Sequence, residues 1–95
     1  MFKVELKQQA LHVLQRLRRH DAVLILDALE TYLSHEPERP SRSRIKRLRG
    51  RQASTYRLRV GDHRIFYDVC ETSVVVVAIL HKSETPSFYG EGTLP

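Results

Sequence analysis

One segment, residues 56–67, constrains the fold most, because its pattern predicts a β-hairpin. Apolar residues alternate with arginine up to Val60, the pair Gly61-Asp62 supplies a two-residue turn, and the chain then returns. A loop of this length fixes the register of the two strands. The pairs that it predicts are Val60 with His63, Arg59 with Arg64, Leu58 with Ile65, and Arg57 with Phe66.

The two faces of this hairpin differ sharply in charge, because side chains alternate across a strand. One face, called here the arginine face, carries Arg57, Arg59, Arg64 and Phe66. The other face carries Tyr56, Leu58, Val60, Ile65, Tyr67 and Val69. Like charges placed opposite one another in a sheet are destabilising. A cluster that keeps them indicates a polyanionic partner, although a solvated outer face that docks an acidic protein is an equally good interpretation.

Positive charge is concentrated in the middle of the chain. The net charge is +5 and the pI is about 9.8. Between positions 39 and 64 the only acidic residue is Asp62. The basic residues of this stretch are Arg39, Arg42, Arg44, Lys46, Arg47, Arg49, Arg51, Arg57, Arg59 and Arg64. Such a distribution favours an acidic partner such as nucleic acid.

The remaining bulk properties restrict the class of protein. With 95 residues, 41% of them hydrophobic, the chain is expected to form one globular domain over residues 1–95. Its single cysteine, Cys70, precludes an intrachain disulfide, and no apolar run is long enough to cross a membrane. The N-terminus lacks the apolar core of a signal peptide, so a cytoplasmic location is expected. No phosphate-binding loop, metal-ligand cluster or nucleophile elbow is present, and no cofactor or metal is expected.

The order of elements predicts an α+β domain with two layers. Residues 1–6 form a strand, 7–36 a helical hairpin, 37–44 a loop, 45–82 a twisted antiparallel sheet, and 83–95 a C-terminal tail. Asp21 is expected to cap the second helix, whose apolar start at residues 22–26 should be deeply buried. The helices should cover the face of Leu58 and Ile65, which leaves the arginine face open.

Several side chains outside the arginine face are candidates for chemistry. His81 is a candidate for proton transfer, but the apolar run 74–80 before it hides its register, so the face of His81 and Lys82 stays open. His63 falls on the face opposite Arg57 and is expected to be structural, while Asp68 can face the arginines. Tyr89 is an aromatic side chain that can stack on an unpaired base. The basic positions expected to contact RNA are Lys46, Arg47, Arg49 and Arg51.

These motifs together resemble the RelE/ParE superfamily of toxins from type II toxin–antitoxin systems. The resemblance rests on Ile-Lys-Arg-Leu-Arg-Gly at 45–50, on Tyr-Arg-Leu-Arg-Val-Gly-Asp-His-Arg-Ile-Phe-Tyr at 56–67, and on Leu-His-Lys at 80–82. It covers nearly the whole chain, and the segment 57–67 is its most specific part. The resemblance implies that this chain is a toxin whose cognate partner is an antitoxin protein.

The superfamily contains two kinds of toxin. RelE-like members cut mRNA in the ribosomal A site, whereas ParE-like members poison DNA gyrase and lack the nuclease residues. Carried onto this chain, the RelE-like catalytic positions fall at Arg57, Arg59, Arg64, Lys82 (or His81) and Tyr89. The chain departs from the pattern at positions 57 and 59, where lysine is common. Since arginine stays protonated, it is a poor general base.

The function that the resemblance implies first is metal-independent RNA cleavage, in which the 2′-hydroxyl attacks the adjacent phosphate to give a 2′,3′-cyclic phosphate. Arg57 and Arg64 would stabilise the developing charge, Tyr89 would stack on a base, and His81 would transfer a proton. The alternatives are a gyrase inhibitor that makes its contacts through the helical hairpin and the tail, and an inert binding module. None of the three predicts a contact with a membrane.

Overall fold

The computed structural model describes residues 1–40, 44–48 and 55–84. Within these ranges the strands are β1 (Lys3–Leu6), β2 (Ile45–Arg47), β3 (Tyr56–Val60), β4 (His63–Cys70) and β5 (Ser73–His81). The helices are α1 (Gln8–Arg16) and α2 (Arg19–Ala28), and α2 continues into a π-helical turn (Leu29–Leu33). A 3₁₀ turn (Lys82–Glu84) follows β5 and forms the start of the predicted tail. None of these helices is long and apolar enough to cross a membrane.

The five strands form one sheet in the order β1-β5-β4-β3-β2. Strands β2 to β5 pair antiparallel, as predicted, whereas β1 adds to the far edge parallel to β5, with Lys3 opposite Ser73. The α+β prediction is therefore confirmed, and the sheet is mixed because of β1. The pairing places the first strand of the chain beside the last strand.

The predicted hairpin register is confirmed at all four pairs, including Arg59 with Arg64 and Arg57 with Phe66. Gly61 occupies the first turn position with φ +57°. A side chain at this angle would be strained even though a Cβ there would meet no atom within 4 Å. The turn therefore depends on glycine for backbone conformation and not for space.

A β-bulge in β5 decides the position of His81. Phe66 pairs with Ala78 but Tyr67 pairs with Val76, so Val77 is an extra residue in β5. After the bulge His81 pairs with His63, and both lie on the face opposite the arginines. The apolar run 74–80 contains no polar residue whose position would have revealed this insertion.

The core lies between the helical layer and the sheet face that carries Leu58, Ile65 and Tyr67, all fully buried. Helix α1 packs on β5 and α2 on β3. The ring of Tyr67 stacks on that of Tyr56 with centroids 5.5 Å apart. Its hydroxyl donates a 2.6 Å hydrogen bond to the carbonyl of Pro37, which anchors the loop after α2. The helices therefore cover the predicted face.

Two expectations for the second helix are wrong. The helix begins at Arg19, so Asp21 lies inside its first turn and is not the cap; the capping position, Arg18, makes no side-chain hydrogen bond. The run 22–26 is not deeply buried either, since Val23, Leu24 and Leu26 are 46–49% exposed. A helix lying on a sheet buries one stripe only, and here that stripe contains Ile25, Ala28 and Leu29.

Candidate functional site

The arginine face is organised in cross-strand rows. One row runs across β2, β3, β4 and β5 through Lys46, Arg57, Phe66 and Ala78. The next row contains Arg59, Arg64 and Leu80. The sequence therefore brings the three predicted arginines together and adds Lys46 to them. Cations in neighbouring positions repel one another, so a bound anion would lower the free energy of the folded state.

The expectation that this face is open is wrong at its centre. Phe66 is 0% exposed and Ala78 is 4% exposed, although both lie on the face away from the helices. Removing an aromatic side chain from water is energetically favourable. The burial of Phe66 therefore stabilises the protein. The accessible part of the face is thus its charged margin, where Arg59 is exposed and Arg57 and Arg64 are half-buried.

Arg57 is the unusual residue of this face. Its Nε atom is shielded from solvent, and in the described part of the chain it has no hydrogen-bond partner. Burying a polar group without a partner costs on the order of 1–3 kcal/mol, and more for a charged group. An anion that offers an acceptor to this Nε would remove the cost.

Arg64 is held against the hairpin turn. Its Nη1 atom donates hydrogen bonds to the carbonyls of Gly61 and His63, each 3.0 Å long. These bonds use one nitrogen of a group that has five N–H donors. Arg64 is therefore positioned by the hairpin turn.

Lys82 is brought to the same turn from β5. Its backbone N–H donates to the carbonyl of Asp62 at 2.7 Å, and its Nζ lies 3.5 Å from the Asp62 carboxylate. Both side chains of this ion pair are more than half exposed, so solvent screens their attraction. Lys82 and Arg64 thus contact neighbouring residues of the same hairpin turn.

His81 is not brought to the arginine face. Its ring lies 5.7 Å from that of His63, edge to face, on the helical side of the sheet. Its Nδ1 accepts a hydrogen bond from the backbone N–H of Ser83 at 3.2 Å and lies 2.9 Å from the Ser83 hydroxyl. Both imidazoles line a cavity of about 320 Å³ between the turn and α2, which also includes Asp21.

The predicted RNA contacts are only partly within the described residues. Lys46 lies on the arginine face, whereas Arg47 alternates to the other face of β2; both are exposed. Arg49, Arg51 and Tyr89 lie outside the described residues.

Asp68 does lie on the arginine face. It follows Arg64 and Phe66 at alternate positions of β4 and pairs with Val75. Its Oδ1 accepts a 2.6 Å hydrogen bond from the backbone N–H of Thr55. The alternation of β4 was a sufficient signal for this position. No group of three or more potential metal ligands occurs in the part of the chain that the structure describes.

Two features of the surface were not predicted. The exposed side chains of Val23, Leu24 and Leu26 form an apolar surface on α2. The sequence did not predict it, because a run that is apolar all round does not indicate which side of the helix meets the sheet. The guanidinium of Arg44 lies 5.0 Å over the ring of Tyr32, a cation–π contact between the β2 edge and the helical layer.

Comparison with known proteins defines the class. The sequence matches the family described as the ParE toxin of the type II toxin–antitoxin system parDE over residues 4–86. Among solved structures, a chain of the toxin–antitoxin complex RelBE2 from Mycobacterium tuberculosis is 27% identical, with a TM-score of 0.72. This match covers 84% of the present chain and 96% of that chain.

More distant structures share the fold. A chain of the archaeal RelE–RelB complex from Pyrococcus horikoshii is 22% identical, with a TM-score of 0.71 and coverage of 85% of this chain and 94% of that one. A chain of the RelB–RelE complex from Methanococcus jannaschii is 18% identical, with a TM-score of 0.59 and coverage of 90% and 98%. No curated protein sequence gives a significant match.

The fold and the basic hairpin define a small toxin of the type II toxin–antitoxin class. The chain belongs to the ParE toxin family, within the RelE/ParE superfamily that the hairpin motif predicted.

Proposed function

We propose that this toxin is an mRNA endoribonuclease that acts on message in the ribosomal A site and thereby stops translation and growth in the cytoplasm. The observation that supports this most is Arg57, whose buried Nε has no partner among the described residues. Arg59 and Arg64 lie in the adjacent row. Phosphate is an anion that such planar donor groups bind well, because guanidinium N–H groups match its oxygens in pairs.

The proposed reaction is a transfer of the phosphoryl group within RNA. The 2′-oxygen forms a bond to phosphorus, the bond from phosphorus to the 5′-oxygen breaks, and the products are a 2′,3′-cyclic phosphate and a 5′-hydroxyl. Arg57 and Arg64 stabilise the extra negative charge on the phosphoryl oxygens at this stage, without a metal ion. Arg59 and Lys82 neutralise flanking phosphates, and Lys46, Arg47, Arg49 and Arg51 bind the RNA backbone.

The roles of the two remaining sequence candidates stay predictions. Tyr89 would stack on a base and hold the scissile bond in line. His81 could transfer a proton only to RNA that bends around the hairpin turn, since its ring lies on the helical side of the sheet.

A cognate antitoxin is the expected protein partner. The related complexes from Mycobacterium tuberculosis and Pyrococcus horikoshii each contain a toxin with its antitoxin. In this chain the arginine face offers cations to an acidic segment, so an antitoxin carboxylate near Arg57 would satisfy the buried Nε. The same group would then compete with RNA phosphate for Arg57, which is a simple mode of inhibition.

The test is primer extension on mRNA from cells that briefly express the toxin. The informative variants are Arg57→Ala and Arg64→Ala, with Arg16→Ala as the matched control because Arg16 is exposed on α1, in the layer on the other side of the sheet. We expect codon-phased cuts with the wild type and the control, and none with the two arginine variants. Cuts that persist in both would contradict a role for the arginine face in cleavage.

Inhibition of DNA gyrase is the second candidate, and it has two supports. The family match is to ParE toxins, and α2 exposes Val23, Leu24 and Leu26, an apolar surface suited to a protein partner. Supercoiling assays with purified gyrase distinguish the candidates. Intact mRNA in arrested cells, together with inhibition that Leu26→Gln weakens and Arg57→Ala does not, would assign the toxin to gyrase.

A further inference from the structure

Cleavage by this chain requires a group that accepts the proton of the 2′-hydroxyl. The three arginines of the arginine face cannot serve, because guanidinium stays protonated in proteins. The imidazole of His81 lies on the other side of the sheet, beside His63. The proton acceptor must therefore be sought among the other side chains of the arginine face.

Asp68 is a carboxylate in the right part of this face. It lies two residues beyond Phe66 on β4, and Phe66 pairs directly with Arg57. Since a strand rises about 3.4 Å per residue, Asp68 is displaced roughly 7 Å along the sheet from the Arg57–Phe66 pair. A nucleotide whose phosphate binds Arg57 can therefore place its ribose near Asp68.

The Asp68 carboxylate is also held in a fixed orientation. The backbone N–H of Thr55 donates to Oδ1 at 2.6 Å, and the residue is half-buried. No donor within the described part of the chain occupies Oδ2. One oxygen is thus fixed by the backbone while the other has its lone pairs available for a ligand.

We infer that Asp68 is the general base of the proposed ribonuclease and that its Oδ2 accepts the proton of the attacking 2′-hydroxyl. This inference rests on the proposed function. The 2′-oxygen then bonds to phosphorus as the bond to the 5′-oxygen breaks, and the departing 5′-oxygen takes a proton from water. Asp68 returns its proton to solvent, so no oxidant or co-reactant is consumed. Because Asp68 accepts the proton in this reaction, arginines at positions 57 and 59 are compatible with catalysis.

Glu5 supplies a matched control. It pairs with Val75 from the β1 side, as Asp68 does from the β4 side, so both carboxylates lie on the same face. Glu5 is exposed at the far edge of the sheet and is separated from Arg57 by β5 and β4. A glutamine at position 5 removes the same charge from the same face at a greater distance from Arg57.

The experiment measures single-turnover cleavage of mRNA bound to ribosomes by the wild type, Asp68→Asn and Glu5→Gln. Asparagine keeps an oxygen for the Thr55 N–H but cannot take a proton, so the fold is retained. We expect Asp68→Asn to lower the cleavage rate by about 10²- to 10⁴-fold, with unchanged RNA affinity and thermal stability. Glu5→Gln should cleave at the wild-type rate.

The pH profile separates a base from a residue that only positions the loop. Where a carboxylate takes the proton, the wild-type rate should vary with pH much less steeply than the rate of a variant without that base. The Asp68→Asn rate should instead rise roughly tenfold per pH unit, because hydroxide must then remove the proton. A variant that cleaves at the wild-type rate, or slowly with a flat profile, would overturn the inference alone. Absence of cleavage by the wild type would overturn the proposed function with it.

Discussion

The side-chain amide of Gln9 forms two hydrogen bonds with the main chain of Ile79. Its Nε2 donates to the Ile79 carbonyl at 3.2 Å, and its Oε1 accepts from the Ile79 N–H at 2.9 Å. Strand β1 ends at Leu6, while its neighbour β5 continues to His81. The Gln9 amide therefore replaces the next residue of an edge strand and satisfies backbone groups that β1 does not reach.

Replacing Gln9 with alanine should destabilise the fold by about 1–3 kcal/mol, because it leaves two backbone groups of the buried residue Ile79 without partners. Urea denaturation measures the free energy of unfolding. The control is Gln15→Ala, since Gln15 is exposed on the same helix and should change stability by less than about 0.5 kcal/mol. Equal effects of the two variants would show that the Gln9 bonds contribute nothing.

Tyr67→Phe should lower the free energy of unfolding by about 1–2 kcal/mol. The change removes the buried hydroxyl that donates to the Pro37 carbonyl at 2.6 Å and leaves that carbonyl unpaired. Its matched control is Tyr32→Phe, which keeps the ring under Arg44 and should be nearly neutral. Denaturation of the three proteins at neutral pH provides the comparison, and a neutral Tyr67→Phe would contradict this role of the hydroxyl.

Tyr67 should also make the fold less stable at alkaline pH. Burial, followed by the charges of Tyr56 and Glu38, raises the pKa of Tyr67 well above its ordinary value of 10.0. The unfolded chain therefore loses this proton first, and the free energy of unfolding should fall above about pH 10 by up to roughly 1.4 kcal/mol per pH unit. Tyr67→Phe should lack this component of the decline. Parallel curves for wild type and variant between about pH 9 and 11 would contradict the shift.

The sequence predicts the hairpin fully because its alternation and its Gly61-Asp62 turn both specify the same register. The position of His81 could not be predicted, since Val77 is inserted in a run whose residues are all apolar. The burial of α2 was overestimated for a related reason. A run without polar residues contains nothing that would indicate which side of the helix faces water.

The candidate site was predictable in its parts but not in its electrostatics. Alternation alone places Arg57, Arg59, Arg64 and Asp68 on one face, and the structure agrees. The burial of the Arg57 Nε, which has no hydrogen-bond partner among the described residues, does not follow from the alternation. No local pattern contains that information, because it arises from packing between distant segments.

Gly61→Ala should destabilise the fold by about 1–2 kcal/mol. Open space surrounds the position, so the cost comes from the backbone angle of +57° and not from a clash. Gly61→Asn should cost less, since asparagine tolerates this conformation better than other residues with a side chain. Thermal unfolding of the two variants tests the order. A larger loss with asparagine would indicate a steric or polar cause in place of the backbone.

Arg57→Met should separate stability from activity. Methionine preserves much of the apolar stem of arginine but removes the buried Nε that has no partner among the described residues. The variant is therefore expected to be more stable than the wild type by about 1 kcal/mol. It should also lose mRNA cleavage in cells, because the guanidinium that binds the phosphate is removed.

The matched change at the exposed neighbour, Arg59→Met, relieves no buried charge and should leave stability within about 0.5 kcal/mol of the wild type. A destabilised Arg57→Met protein would mean that the guanidinium stabilises the free toxin, and Arg57 would then be a structural residue and not a ligand for an anion.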